Sequence, residues 1–577
     1  MKTTKWIQVL TLFMVFIASY LQAQERTVGL ISTNSELSYQ GYTLFAPKHY
    51  HTTHLINNDG QVVHSWEKSI YEPGQSVYLL ENSNLLRCCF VKGAGSTGGG
   101  EGGRIEMYDW DDTLIWELDF ATNDYMSHHD IEPLPNGNIL MLVVEKKTYQ
   151  ETVEAGFNPA NLHPDIQRKN YMLPDYVVEI KPTPPVGGNI VWEWHVWDHL
   201  IQDFDRNRSN YGDPAAHPEL IDPNGSGGKI PAFWNHMNSI DYNPELDQII
   251  MSVRGNSELW VIDHSTTTAE AASHSGGKYG KGGDLLYRWG NPSMYGMGNK
   301  NNQQLFQQHD TQWIEPGCPG AGNMLIFNNG LKRPDGDWSS VDEIVPPVED
   351  NGFYTRTANS AFGPEAILWT YYPEKKSDFY SEAISGAQRL PNGNTLICDG
   401  THGRFFEVTS DGEVVWDYIN PVVKEGPLTQ GDSPELDMRG HQYNAAFKIH
   451  RYPVDFAAFD GKDLTPQGTL ELDPTGVNGF EKTLIQQFAL NQNYPNPFNP
   501  ATVISYQLLT SGIVQLKVFD VLGREVKTLL SEFQTSGLHE IDWDGTDDFN
   551  GHLSAGIYFC KLKFGEHIEI KKMTLMK

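Results

Sequence analysis

Apolar and polar residues alternate in short runs along most of this chain, and no long segment carries the 3.6-residue apolar period of an amphipathic helix. The pattern predicts many short strands separated by Gly-, Asn- and Asp-containing turns. Two motifs take turns. The first is a strand, a turn and a second strand: QSVYLLENSNLL (75–86), HHDIEPLPNGNIL (128–140), HMNSIDYNPELDQII (236–250), HDTQWIEPGCPGAGNML (309–325) and SGAQRLPNGNTLI (385–397). A sixth copy, GHQYNAAFKIHRYP (440–453), lacks the turn and offers His441. The second motif is a short apolar strand with an aromatic residue: GQVVHSW (60–66), DTLIWEL (112–118), GNIVWEW (188–194), GDLLYRW (283–289), EAILWTY (365–371) and GEVVWDY (412–418). Six copies of a two-motif unit therefore lie between about residue 55 and 456. The shorter spacings fit the roughly 40–50 residues of a four-stranded propeller blade, and the longer ones imply insertions. The stretches 203–231 and 290–304 are Gly-, Pro- and Asn-rich and read as loops over one face.

The expected fold is all-β: a six-bladed propeller over 58–456, entered by a β segment over 24–57. A large sandwich is the alternative architecture. The LPNGN pentads at 134–138 and 390–394 are turn chemistry, with Asn-Gly supplying positive φ.

The repeat brings candidate chemistry with it. Counting back from the turn after each strand puts His129, His236 and His309 in register, with Gln75 and Ser385 at the same place in two other copies. Equivalent positions in a repeat fold face the same feature, so three imidazoles should converge on one axis. Asn238 lies two residues after His236, on the same strand face, and Arg254 follows in MSVRGNSELWVID. Thr401, His402 and Arg404, in DGTHGRFFEV, are candidate substrate-binding residues that could reach the channel mouth. Asp130 and Asp310 should anchor backbone or turns. His217, His264 and His274, in polar segments, are expected at the surface.

Composition narrows the classes. The 577 residues suffice for two or more domains, and 39% hydrophobic with 12% aromatic content supports a real core. A net charge of −31 argues against nucleic acid or an anionic membrane as partner. Residues 1–23 read as a secretory signal: Lys2 and Lys5, then WIQVLTLFMVFIASYL, then Leu21-Gln22-Ala23. No other stretch is apolar enough to span a bilayer, so no transmembrane segment is expected after its removal. The five cysteines have no CxxC spacing, which excludes a zinc cage or a disulfide framework and leaves room for one unassigned disulfide.

Residues 457–488 carry no repeat and read as a linker. The remainder, 489–577, alternates between short strands and Asp/Gly turns, as a small Ig-like β-sandwich would. Its NYPNPFNP, DVLGREV, WDGTD and SAGIYF motifs resemble the type A sorting domain of the type IX (Por) secretion system. That resemblance implies a Bacteroidota-type source, the type IX machinery as a partner of 489–577, passage through the periplasm, and a product released or held at the cell surface.

Histidines with an Arg and an Asn amide, and without clustered carboxylates, suit a tetrahedral oxyanion. Arg is a permanent cation with paired donors, and neutral imidazole serves as nucleophile or base. The SHHDIEPLPNGN, NHMNS…SVRGNS and QQHD…GNMLIFNNG motifs resemble those of the bacterial arylsulfate sulfotransferases, as do GYTLFAP…HLINNDGQVVHSW (41–66) and RYPVDFAAF (451–459). The resemblance covers about residues 27–460. It implies sulfuryl transfer from a phenolic sulfate ester to a phenol acceptor, ping-pong through a sulfohistidine, with no nucleotide donor, cofactor or metal. By resemblance His309 is the histidine that becomes sulfated. His236, Asn238 and Arg254 hold the sulfuryl group, and His129 is the remaining active-site histidine, with His128 the less favoured choice. Two other readings stay open: a three-histidine zinc site of a metallohydrolase, which Arg254 disfavours, and a non-catalytic propeller that binds a glycan or protein.

Overall fold

The computed structural model describes residues 26–92, 100, 102–225, 227–436, 440–473, 489–508, 512–534, 537–548, 551–564 and 567–576. The expected signal peptide and the stretch 474–488 lie outside the described residues. The chain divides into two compact units, Met1–Gly479 and Phe480–Lys577.

Among the described residues of the larger unit, six antiparallel sheets carry four or five strands each. In every sheet the first sequence motif supplies the inner strands and the second supplies an outer one. The inner strands are Pro73–Leu79, Tyr125–Pro133, Met237–Asn243, His309–Trp313, Gly386–Arg389 and His450–Pro453. The sixth sheet is assembled from both ends: His450–Pro453 pairs with Gly41–Phe45, which pairs with Thr53–Ile56 and then Val62–Trp66. Strands before residue 58 are thus part of the ring rather than a lead-in to it. Gly29–Thr33 adds a fifth strand to the fifth sheet, beside Val414–Ile419.

The second motif carries a tryptophan because its indole latches neighbouring sheets together. Trp66 Nε1 donates to the Asp109 carbonyl, Trp116 to Gly187, Trp194 to Gly283, Trp289 to Pro364, Trp369 to Ser410, and Trp416 to Asn58, all at 2.7–2.9 Å. Each acceptor lies in the turn before the next sheet's outer strand, and the sixth bond returns to the first latch's sheet. The ring is closed. A buried indole bond of this kind contributes about 0.5–1.5 kcal/mol net, and an abandoned carbonyl costs more. Between latches, apolar faces of successive sheets pack together, as Leu142, Val177 and Trp194 do against Met251 and Trp260.

A buried cation pins the inner strands. Lys448 Nζ meets Asp130 at 2.9 Å and Asp310 at 3.4 Å. Burial works against its charge, but the two carboxylates win and raise its pKa. Asp130 also accepts from Tyr78 and the Ile240 N–H, and Asp310 from the Ala387 N–H.

Three sequence expectations are corrected. Residues 457–473 are not linker: Phe459 and Leu470 are buried, the Val62 N–H donates to the Gly468 carbonyl, and the Gln467 N–H donates to the Val62 carbonyl. Its Gly/Pro/Asp composition reflects turns, not freedom. His264 is not a surface residue; it is held between Asp247 (2.8 Å) and Glu179 (3.1 Å). All five cysteines are free.

The smaller unit packs a three-stranded sheet and a four-stranded sheet around Trp543, Phe498, Leu516 and Leu562. No helix among the described residues is long and apolar enough to cross a membrane.

Candidate active site

The inner strands begin with a repeated irregularity. Those starting at Pro73, Tyr125, Met237 and His309 each shift register against their neighbour. Gln75, His129, His236 and Ser385 have positive φ (148°, 51°, 51° and 84°). Bulges of this kind re-aim side chains, and non-glycine residues in such backbone cost about 1–3 kcal/mol each, a strain that clusters at functional sites. In the fourth copy the twist falls one residue later, on Asp310 (φ 48°).

These bulges bring the three histidines together. The His129 and His236 ring centroids lie 5.0 Å apart. Phe233 stacks on His236 at 4.3 Å, and Phe447 lies 6.1 Å from His129 and 6.4 Å from His309. Glycine is required beside His129: a Cβ on Gly100 would meet its Cε1 at 1.8 Å.

Hydrogen bonds fix the protonation pattern. His309 Nδ1 lies 2.7 Å from Asn329 Oδ1. Asn329 donates its amide N–H groups to the carbonyls of Ser381 and Ile384, which leaves Oδ1 facing the ring. His309 Nδ1 therefore carries the proton, and Nε2 presents a lone pair, which receives the Ile384 N–H at 3.2 Å. Burial, with Arg254 as second cause, pushes the His309 pKa down to about 3, so the ring is neutral.

His129 is oriented by a chain of groups. Its Nδ1 lies 2.8 Å from His128 Nδ1. His128 Nε2 lies 3.0 Å from Asp175, obliquely, with both side chains fully buried. A carboxylate favours an N–H facing it, so His128 holds its proton on Nε2 and accepts on Nδ1. His129 then donates from Nδ1 and keeps an open lone pair on Nε2. Burial and the neighbouring His236, His128, His309 and Arg254 hold His129 well below the ordinary histidine value. Burial and Arg254 do the same for His236.

Arg254 is half-buried, and its guanidinium makes no hydrogen bond or ion pair among the described residues. Burial lowers its pKa, while Glu382 and Tyr380 support its charge. Lys48 adds a second positive charge near His309. The centre is cationic, aromatic and buried, with two lone pairs on offer. The three histidines do not bring their ligand nitrogens to metal spacing; among the described residues that grouping occurs elsewhere.

The remaining predicted residues behave differently. Asn238 Nδ2 donates to the Gln308 carbonyl at 2.8 Å, so its amide secures the strand that carries His309. The Thr401 hydroxyl meets Ser381 Oγ at 2.7 Å and thereby steadies the Asn329 support. His402 is bonded to Asp399, and Arg404 grips Asp417 through two bonds of 2.9 Å on the paired strand. These partners hold His402 and Arg404 in their own sheet, and neither joins the histidine cluster. Asp175, Asn329, Phe233 and Phe447 were not expected. Asn329 follows the strand Met324–Asn328, beside His309, and was visible in GNMLIFNNG, whereas Asp175 is brought in by sheet pairing alone.

A family model described as Arylsulfotransferase (ASST) matches residues 100–425, and one described as Secretion system C-terminal sorting domain matches residues 492–576. No curated protein sequence matches the chain. Among solved structures, a protein of unknown function from Bacteroides caccae is 13% identical, with 72% of this chain and 99% of that chain covered and a TM-score of 0.37. Virginiamycin B lyase from Staphylococcus aureus is 8% identical, with 69% and 85% covered and a TM-score of 0.31. A periplasmic gluconolactonase from Pseudomonas aeruginosa is 12% identical, with 87% and 99% covered and a TM-score of 0.32.

Proposed function

The chain belongs to the arylsulfotransferase family, and from that premise we propose that it moves a sulfuryl group from a phenolic sulfate ester to a phenol through a sulfohistidine at His309, without a nucleotide sulfate donor. We read the six latched sheets as its six blades. The sorting domain directs export by type IX secretion to the cell surface or the medium.

One observation carries the reading: a neutral His309 with its Nδ1–H tied to Asn329, near a guanidinium, that of Arg254, with no hydrogen-bond or ion-pair partner among the described residues. The lone pair of Nε2 attacks sulfur, releasing Ile384 N–H, while the S–O bond to the aryl oxygen breaks and the phenolate leaves with the bonding pair. Arg254 and Lys48 bear the negative charge of the sulfuryl oxygens. The transition state is loose, so positioning and charge dominate. In the second half-reaction, His129 Nε2 takes the proton of the acceptor phenol. The phenolate oxygen then bonds to sulfur, and the S–N bond breaks to return neutral His309. The proton held on His129 neutralises the next departing phenolate. Phe233 and Phe447 offer apolar faces to the aryl rings.

Initial rates with 4-nitrophenyl sulfate and a varied phenol test this reading. Parallel double-reciprocal lines, and loss of transfer in His309→Asn, are expected. Intersecting lines, or a His309→Asn rate within about tenfold of wild type, would remove it.

A further inference from the structure

A second histidine cluster lies away from the ring axis. His199 ends the short 3-10 turn Val196–His199, which follows the outer strand of the second sheet. His274 and Asp284 come from the insertion between Glu258–Asp263 and Tyr287–Trp289 in the third sheet. His199 Nδ1 lies 2.8 Å from Asp284 Oδ1, and His274 Nδ1 lies 2.7 Å from the same oxygen. The ligand atoms of all three residues fall within 4.8 Å of one another.

The outer contact of His199 sets which nitrogen faces the cluster. His199 Nε2 lies 2.8 Å from the Ala271 carbonyl. A carbonyl only accepts, so Nε2 donates to it and Nδ1 is the ring nitrogen turned to Asp284. Asp284 Oδ1 thus gathers two imidazole nitrogens, one from each side of the cluster, which is the donor set of a divalent cation. An outer carbonyl that fixes the ring tautomer is the usual support of a metal-bound imidazole.

The surroundings are built to hold this arrangement. The His199 side chain is fully buried and stacks on Trp194, with centroids 5.6 Å apart and planes 9° apart. Trp194 in turn donates to the Gly283 carbonyl. A Cβ at Gly283 would meet the Ala271 oxygen at 2.0 Å and His199 Nε2 at 2.6 Å, so only glycine fits beside the cluster. The His274 side chain is 61% exposed, which leaves a path for an ion and a side open to water.

We propose that His199 Nδ1, His274 Nδ1 and the Asp284 carboxylate form a zinc site that staples the third-sheet insertion to the outer turn of the second sheet. Two imidazoles and a carboxylate suit Zn²⁺ in a tetrahedral shell, with water as the fourth ligand. This site is independent of the sulfuryl chemistry.

The test uses the full chain, stripped with chelator and titrated with zinc chloride by calorimetry, with metal content measured by mass spectrometry. One zinc per chain is expected, together with a rise in Tm. His274→Ala, an exposed substitution that leaves the fold intact, should weaken zinc binding by more than the roughly 10–100-fold that losing an outer-shell partner costs. His309→Asn should bind zinc as wild type does, which separates this site from the axial histidines. Cobalt-loaded protein should show the visible absorption of a tetrahedral centre. Absence of stoichiometric zinc, undiminished binding in His274→Ala, or loss of binding in His309→Asn would each overturn the proposal.

Discussion

A histidine acts as a nucleophile only when its lone pair is free of protons and correctly aimed. At His309 both conditions follow from local chemistry: burial keeps the ring neutral to about pH 3, and Asn329 holds the proton on the far nitrogen. At His129 the same result comes through His128 from Asp175, a group with no counterpart in the sequence motifs. The positions of His129, His236 and His309 were legible because a repeat fixes register. Asp175 and Asn329 were not singled out, because their roles arise where separate strands meet. His402 and Arg404 show the converse: their place in the sequence said nothing of Asp399 and Asp417, which engage them. If His129 is the base that Asp175 orients, Asp175→Asn should lower kcat by about 10²–10⁴-fold, the span typical of general acid–base catalysis. KM and the folded spectrum should change little. Steady-state kinetics with circular dichroism would check this, and an unchanged kcat would assign Asp175 to structure alone.

At the scale of elements, the alternation of apolar and polar residues identified both strand types, and a recurring aromatic residue set the second type apart before its latching role was visible. Closure of the ring by strands from both ends was less legible, since Gly41–Phe45 and His450–Pro453 are far apart in sequence. Polar context also misled at His264. That residue joins Glu179 of the second sheet to Asp247, in the turn between Met237–Asn243 and Gln248–Val253 of the third. Burial lowers its affinity for a proton, but bonds to Asp247 and Glu179 overcome this and push its pKa up to about 9. The folded value lies above the ordinary one near 6.5. The clamp therefore contributes fully below about pH 6.5 and is lost as pH rises through about 9. Thermal melts across that window should show wild type losing more Tm than His264→Gln does. Equal slopes would mean that His264 is not charged in the folded protein.

Across the whole molecule, a net charge of −31 surrounds a centre where Arg254 and Lys48 face neutral imidazoles. On the proposed reaction, an acidic protein takes an anionic ester because the positive charge lies at a buried centre, where each cation counts for more than at the surface. Export separates the protein from cytosolic nucleotide donors, and the sulfuryl group that we propose is stored covalently would meet that need. The central claim is therefore the storage step. Purified protein incubated with 4-methylumbelliferyl sulfate and no acceptor, then digested and mapped by mass spectrometry, tests it most directly. The account predicts one sulfuryl adduct, on His309, that disappears when phenol is added. Turnover that proceeds with no adduct, or with the adduct on another residue, would contradict it.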